Sequence, residues 1–286
     1  MRYMTGTAAG LAGTRVFAID GTGAADLTAA DPRVGADMME LARNPALGAA
    51  ALAAAGAARI DPDTLTPAMP IAAPGKVLCL GLNYAEHAAE GGFDVPDYPA
   101  LFVRVRSSLI PAGAGMVRPA ASEMLDYEAE LMVVIGKPAR HVSPAQALDH
   151  VFGYTLFNDG SVRDFQGKGA QWTPGKNFNA TGPVGPVVVT PDELAPGATG
   201  LRIQSRLNGK VMQDSTTADM IFPVAEAIVI VSEVMQLEPG DMIAMGTPPG
   251  VGHARKPPVW MKPGDTIEIE IEGIGICRNP IVAEGA

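Results

Sequence analysis

The chain reads as a mostly β protein built on mixed sheets, with a few short peripheral helices and a small α/β segment at its N-terminus. Three observations predict that class. From residue 77 onward, short apolar runs recur between Gly and Pro punctuation, the pattern of buried strands. Asn208-Gly209 separates two extended runs, 201–207 and 210–215, and that pair favours a type I′ hairpin turn. Residues 266–271 alternate Ile267, Ile269 and Ile271 with glutamates, the period of a half-buried strand.

Taken in order, residues 1–72 are rich in Ala and Gly and are expected to form a small α/β domain. Residues 15–20 read as a strand running into an Asp20-Gly21 turn. Residues 38–58 read as helical, with breaks at Asn44-Pro45 and Gly56; the Ala-rich tract 49–58 reads most simply as a thin, closely packed helix, with a disordered linker as the alternative. Pro67, Pro70 and Pro74 punctuate the connection to a second domain, 73–286. There the strand candidates are 77–82, 100–105, 131–135, 154–157, 184–190 and 241–245. Asn83 is placed to cap a short helix, with Glu86 as its third residue and Gly91 at its end. Ser143, Pro144 and Gln146 form a capping-box pattern for a brief helix over 143–150. Residues 220–236 are the one longer helical candidate, and Pro223 limits its first turn.

A chain of 286 residues with 47% hydrophobic and 18% charged residues is long enough for a sizeable core. Its 21 basic and 31 acidic residues give a net charge of −10, with no block of Lys and Arg. That argues against nucleic acid or an anionic membrane as partner and leaves small acidic substrates open. No apolar run approaches the ~18 to 20 residues of a membrane span, and no secretory leader is visible, so a cytoplasmic address is expected. Cys79 and Cys277 sit in apolar segments and read as reduced core residues.

The stretch DYEAEL, 126–131, concentrates the chemistry. On a strand, Glu128 and Glu130 point to one face with Cα atoms roughly 6.5 to 7 Å apart. Two acids aimed together need a cation, a proton or bulk water. The apolar run 131–135 makes bulk water the weakest choice and a hard divalent metal the strongest; a solvated acidic strand end is the plain alternative. Asp159, where the run 154–157 meets Asn158-Asp159-Gly160, offers a third carboxylate or simply a turn. Three carboxylates suit Mg²⁺ or Mn²⁺, with Ca²⁺ as another hard cation. The histidines, at 87, 141, 150 and 253, lack zinc spacing. Glu268, Glu270 and Glu272 repeat the two-residue spacing, but strict alternation there predicts a solvent face.

His87 and Glu90 lie three apart on the helix that Asn83 opens, so they form either a general-base pair or an ordinary surface ion pair. Arg163, Gln166 and Lys176 follow Asp159 closely and could meet a substrate carboxylate or merely solubilise the surface. The loop GTPPGVG, 246–252, lacks the GK[ST] ending of a phosphate-binding loop and reads as a site wall of backbone amides.

GLNYAEH at 81–87, DYEAELMVVIG at 126–136, GYTLFNDGSVRDFQ at 153–166, PGKNF at 174–178, PGD at 239–241 and GTPPGVG at 246–252 together resemble the fumarylacetoacetate hydrolase superfamily, in its motif order, over about residues 75–282. Its bacterial two-domain 2-oxo acid and acylpyruvate hydrolases are the members it looks most like. The resemblance implies a β-roll catalytic domain behind a small N-terminal domain, a Mg²⁺ or Mn²⁺ site and a homodimer. It implies Glu128, Glu130 and Asp159 as metal ligands. His87 and Glu90 become the water-activating pair, on a helix that acts as a lid in several members. Arg163, Gln166, Lys176 and Thr247 become substrate contacts, with Lys176 also stabilising developing charge. Asn179 and Gly160 stand where many members have other residues, and the chain is shorter than the fumarylacetoacetate hydrolases proper, so the substrate stays open. The leading expectation is metal-dependent C–C hydrolysis of an acylpyruvate or β-diketo acid through an enolate held at the metal. Oxaloacetate-type decarboxylation, or isomerisation or hydration of unsaturated oxo diacids in aromatic catabolism, is the alternative; a catalytically silent oxo-acid binder comes last.

Overall fold

The strand Ala129–Ile135 is buried at every position, because both of its faces are covered. In the computed structural model, which describes residues 1–285, it lies inside a 12-stranded mixed sheet. Leu131, Val133 and Ile135 face one apolar core, and Met132 and Val134 face another. Period-two alternation therefore reads as a continuous apolar run. Val151–Asn158 flanks this strand on one side and Met242–Ala244 on the other, both antiparallel. Val77–Gly81 then runs parallel to Met242–Ala244, and Ala100–Val103 closes that edge.

The second sheet has five strands in the order Lys210–Thr216, Arg202–Leu207, Thr266–Ile271, Gly275–Ala283, Met116–Arg118. Ile267, Ile269 and Ile271 turn inward to the first core, which the helix Val224–Val234 also covers. The hairpin turn has Asn208 at φ 51° and Gly209 at φ 78°, the two positive φ values a type I′ turn requires. The outward face of Thr266–Ile271 is not bare: Glu268 pairs with Arg206 at 2.9 Å and with Arg278 at 2.6 Å, and Arg206 also reaches Glu270.

The other face of the large sheet is covered by Met39–Arg43 and Pro45–Ala54, the two helices expected on either side of Asn44-Pro45. Arg2–Thr7, a strand the composition of the N-terminus conceals, pairs with Val187–Val189 and carries Arg15–Asp20 and Gly23–Asp26 beyond it. The N-terminal strands thus extend the sheet that bears the acids.

Three local expectations are corrected. The run 184–190 is two strands, Gly182–Val184 and Val187–Val189, separated at a cis Gly185-Pro186 bond. Over 143–150 only Ala147–His150 is helical, and as a 3₁₀ turn; Ser143 spends its hydroxyl on the Gln146 side chain at 2.7 Å instead of capping a helix. Asn83 does not cap the helix Ala85–Glu90. It is fully buried, donates to Phe222 O and Met245 O, and accepts the Phe222 N–H, so it ties three segments together. Cys79 and Cys277 are free and buried, as expected. Among the described residues no helix is long and apolar enough to cross a membrane.

Candidate active site

Two adjacent antiparallel strands deliver the acids. Glu130 pairs with Phe157, and beyond the end of that ladder the Asp159 N–H donates to Glu128 O at 2.9 Å. One carboxylate oxygen from each of Glu128, Glu130 and Asp159 then lies within 4.8 Å of the others, and all three residues are buried. The three acids predicted to converge do so.

Lys176 reaches them from the short helix Thr173–Lys176. Its ammonium donates to Glu128 Oε2 and Asp159 Oδ2, each at 2.6 Å. Arg163 donates from Nε to Asp126 Oδ2 at 2.8 Å and from Nη1 to Gln166 Oε1 at 2.9 Å, and its Nη2 lies 2.7 Å from Glu128 Oε1. Gln166 therefore orients Arg163 as well as facing the cavity. Sequence reasoning missed Arg104, a buried guanidinium that pairs with Asp159 and also holds Gly160 O and Thr181 Oγ1. Its signal was a lone cation inside the apolar run 100–105. Asp126 was also missed as a working residue, although it opens the DYEAEL stretch. Besides Arg163, it accepts N–H groups from Tyr127, Gly252 and His253 at 2.9, 2.7 and 3.0 Å.

These contacts set the electrostatics. Burial opposes the ionisation of Glu128, but Lys176, Arg163 and His87 outweigh it and hold its pKa down at about 2. Burial also works against the Lys176 ammonium, and Asp159 and Glu128 more than offset it, so its pKa is raised. Glu130 differs: burial, then the neighbouring Asp159 and Glu128 charges, push its pKa well above the ordinary carboxylate value. Its hydrogen-bond donor is the Gly246 N–H at 3.1 Å, and among the described residues no cationic side chain bonds it. A buried carboxylate beside other carboxylate oxygens, with no cationic side chain bonded to it among the described residues, is what a hard divalent ion would satisfy. The donor set fits a metal site of that kind. Burial, followed by the charges of Asp159 and Glu130, pushes the nearby Cys79 thiol well up, which suits an inert core residue.

The helix Ala85–Glu90 supplies the other chemistry. His87 Nδ1 and Glu90 Oε1 are 2.8 Å apart, and Glu90 Oε2 accepts the Gly250 N–H at 2.9 Å. The 246–252 loop is thus a wall of amides whose acceptors are the chain's own carboxylates: Gly246 to Glu130, Gly250 to Glu90, Gly252 to Asp126. Thr247 lines the cavity, yet its hydroxyl donates to Ala129 O at 2.9 Å and accepts from Gln213 at 2.8 Å. One cavity of about 260 Å³ is lined by His87, Glu90, Glu128, Glu130, Arg163 and Lys176, together with Gln166 and Thr247. Asp159 is the one predicted residue that does not reach its wall; it is fully buried and meets the cavity through Lys176.

Residues 76–282 match the model of the fumarylacetoacetate (FAA) hydrolase C-terminal domain. The chain belongs to that family. A mitochondrial oxaloacetate tautomerase of Rattus norvegicus is 38% identical to this family member over 266 residues, 92% of this chain and 85% of the relative. Among solved structures, 2-hydroxyhepta-2,4-diene-1,7-dioate isomerase from Mycobacterium marinum superposes with a TM-score of 0.77 at 31% identity, covering 100% of both chains. Maleylpyruvate hydrolase from Sphingobium sp. SYK-6, in complex with manganese(II) and pyruvate, does so with a TM-score of 0.81 at 31% identity, covering 99% of each. This fumarylacetoacetate hydrolase family member therefore stands among enzymes, and its relatives include a tautomerase, an isomerase and a hydrolase.

Proposed function

We propose that this chain is a divalent-cation-dependent hydrolase that cleaves a C–C bond in an acylpyruvate or related β-diketo acid by way of an enolate. The observation that carries the reading is that the His87–Glu90 pair and the carboxylates Glu128 and Glu130 open into one cavity. Glu128, Glu130 and Asp159 would hold Mg²⁺ or Mn²⁺, and such an ion, when bound, supplies Lewis acidity toward the substrate's 2-oxo oxygen. The remaining steps belong to the chain. With its Nδ1–H donated to Glu90, the neutral His87 imidazole presents Nε2 as a base. His87 takes a proton from water, and the hydroxide adds to the distal carbonyl. The C–C bond then breaks, its electron pair delocalises into the enolate, and His87 returns the proton to C3. The products are pyruvate, or its analogue, and a carboxylic acid. Glu90 stabilises the imidazolium while it exists, and Lys176 and Arg163 stabilise negative charge developing on the substrate.

Keto–enol proton transfer on an oxaloacetate-type diacid is a second reading, favoured by the tautomerase relative that spans 92% of this chain. It uses the same His87 and no attacking water. The test is a panel of acylpyruvates, oxaloacetate and unsaturated oxo diacids assayed with Mg²⁺ or Mn²⁺. Hydrolysis of acylpyruvates, reduced about 10² to 10⁴-fold in His87→Ala, is expected. Proton transfer on oxaloacetate without acylpyruvate hydrolysis would establish the second reading, and undiminished hydrolysis in His87→Ala would remove His87 from the mechanism. The homodimer belongs to the same proposal. Exposed Val103 and Val105, at and beyond the end of the edge strand Ala100–Val103, support it, and sedimentation velocity tests it.

A further inference from the structure

The cavity has two unlike sides. Its floor is ionic, formed by Glu128, Glu130, Arg163 and Lys176, whereas the wall rising from Lys176 is aromatic. The Phe102 ring centroid is 5.1 Å from Lys176 Nζ, so the wall begins directly beside the floor. Trp172 meets Phe102 edge to face, with centroids 5.6 Å apart and planes at 73°. The indole rests on Gly81, at the end of the strand Val77–Gly81: a Cβ there would lie 2.1 Å from Trp172 Cζ3. Glycine is thus required for the indole to occupy its place. Phe93, 52% exposed just past the helix Ala85–Glu90, lines the same cavity. So does Leu82, held at φ 58°, a conformation leucine rarely adopts.

The charges are distributed just as unevenly. Arg163 and Lys176 are the basic side chains lining the cavity among the described residues, apart from the imidazoles of His87 and His253. Both sit at the floor, paired with Asp126, Glu128 and Asp159. The aromatic wall carries no Lys or Arg. A second carboxylate on a substrate would lose hydration against Phe102 and Trp172, and the ammonium beside Phe102, that of Lys176, is already bonded to Glu128 and Asp159. An alkyl or aryl group would gain about fourfold in affinity for each methylene buried.

We propose that Phe93, Phe102 and Trp172 form a subsite for an uncharged, apolar substituent. The 2-oxo acids this site takes then carry an alkyl or aryl group at the distal end, where a diacid would carry a carboxylate. The inference rests on the reading above only in placing the 2-oxo acid head at the ionic floor.

The test compares two ligands of one shape. 5-Methyl-2-oxohexanoate and 2-oxoglutarate differ by an isopropyl group in place of a carboxylate, and neither has the β-carbonyl needed for hydrolysis. Their binding to the Mn²⁺-loaded protein is measured by calorimetry, with pyruvate as the bare head. At least a tenfold preference for the branched ligand is expected. That ratio falls below threefold in Trp172→Ala and is retained in Trp172→Phe, with circular dichroism confirming the fold of each. Equal or tighter binding of 2-oxoglutarate overturns the proposal, as does a ratio that survives both Trp172→Ala and Phe102→Ala. If none of the three ligands binds, the placement of a 2-oxo acid at the floor fails, and the subsite with it. If all bind with the expected preference and no acylpyruvate is hydrolysed, only the hydrolase reading falls.

Discussion

Lys176 Nζ lies 2.6 Å from Glu128 Oε2, and the same ammonium reaches Asp159 at the same distance. The ammonium therefore bridges two of the three buried acids, while the Arg104 and Arg163 guanidiniums hold Asp159 and Glu128 from other sides. In Lys176→Met the charge is lost while the volume is nearly kept, leaving Glu128 and Asp159 with less compensation. Breaking a buried pair from one side costs about 3 to 5 kcal/mol. The cation-free variant is expected to lose stability by roughly that margin and so to melt at lower temperature, and Mn²⁺ to raise its melting temperature more than it raises the wild type's. Calorimetric melts with and without Mn²⁺ check this, and an unchanged cation-free melt would show that Lys176 does not hold the cluster.

Two residues apart, Glu128 and Glu130 respond to pH in opposite directions. The Glu128 pKa of about 2 is below the ordinary 4.5, so its contribution to cation-free stability is present above 4.5 and lost as pH falls toward 2. Glu130 is raised, so its contribution is present below the ordinary value and lost as pH rises through its folded pKa. A cation at Glu130 must displace that proton. Mn²⁺ affinity is expected to rise as pH rises above the ordinary carboxylate range, with protons released on binding. Titration in two buffers of different ionisation enthalpy counts the protons; none released just above that range would show Glu130 already ionised.

The site was legible where its signals are local, and its supports were not. Glu128 and Glu130 share a face by strand alternation, and His87 and Glu90 by helical spacing, so both pairs could be found in the sequence. Arg104 reaches Asp159 across 55 positions, and no local period reports such a partner. Trp172 sits in a Gly-rich stretch, and only the strand end at Gly81 shows why it faces the cavity. Asn83 misled because capping is a local preference, and a buried amide satisfying Phe222 and Met245 overrides it. Arg2–Thr7 escaped because its partner strand is near residue 188, and its own composition carries no alternation.

Asp126 joins the 246–252 loop to Arg163 with four accepted hydrogen bonds, two on each oxygen. In Asp126→Asn one of those oxygens becomes an NH₂ group, which cannot accept, and Arg163 loses one of its two carboxylates. A loss of about 3 kcal/mol or more in urea unfolding is expected. A shift under 1 kcal/mol would mean that Glu128 alone suffices to hold the guanidinium.

Glu130 is the converse case, and it separates a ligand from a structural acid. Its side chain accepts the Gly246 N–H and, among the described residues, bonds no cationic group. A glutamine there keeps the shape and the acceptor oxygen and removes a charge that burial already disfavours. Glu130→Gln is therefore expected to leave cation-free stability within about 1 kcal/mol of wild type or to raise it, unlike Lys176→Met and Asp126→Asn. The same change removes one anionic oxygen from the donor set, and affinity for hard cations depends on ligand charge. Mn²⁺ binding is expected to weaken on the order of 10²-fold, read by calorimetry on the folded variant. Wild-type affinity in Glu130→Gln would exclude Glu130 from the ligand set and leave its buried charge without a purpose.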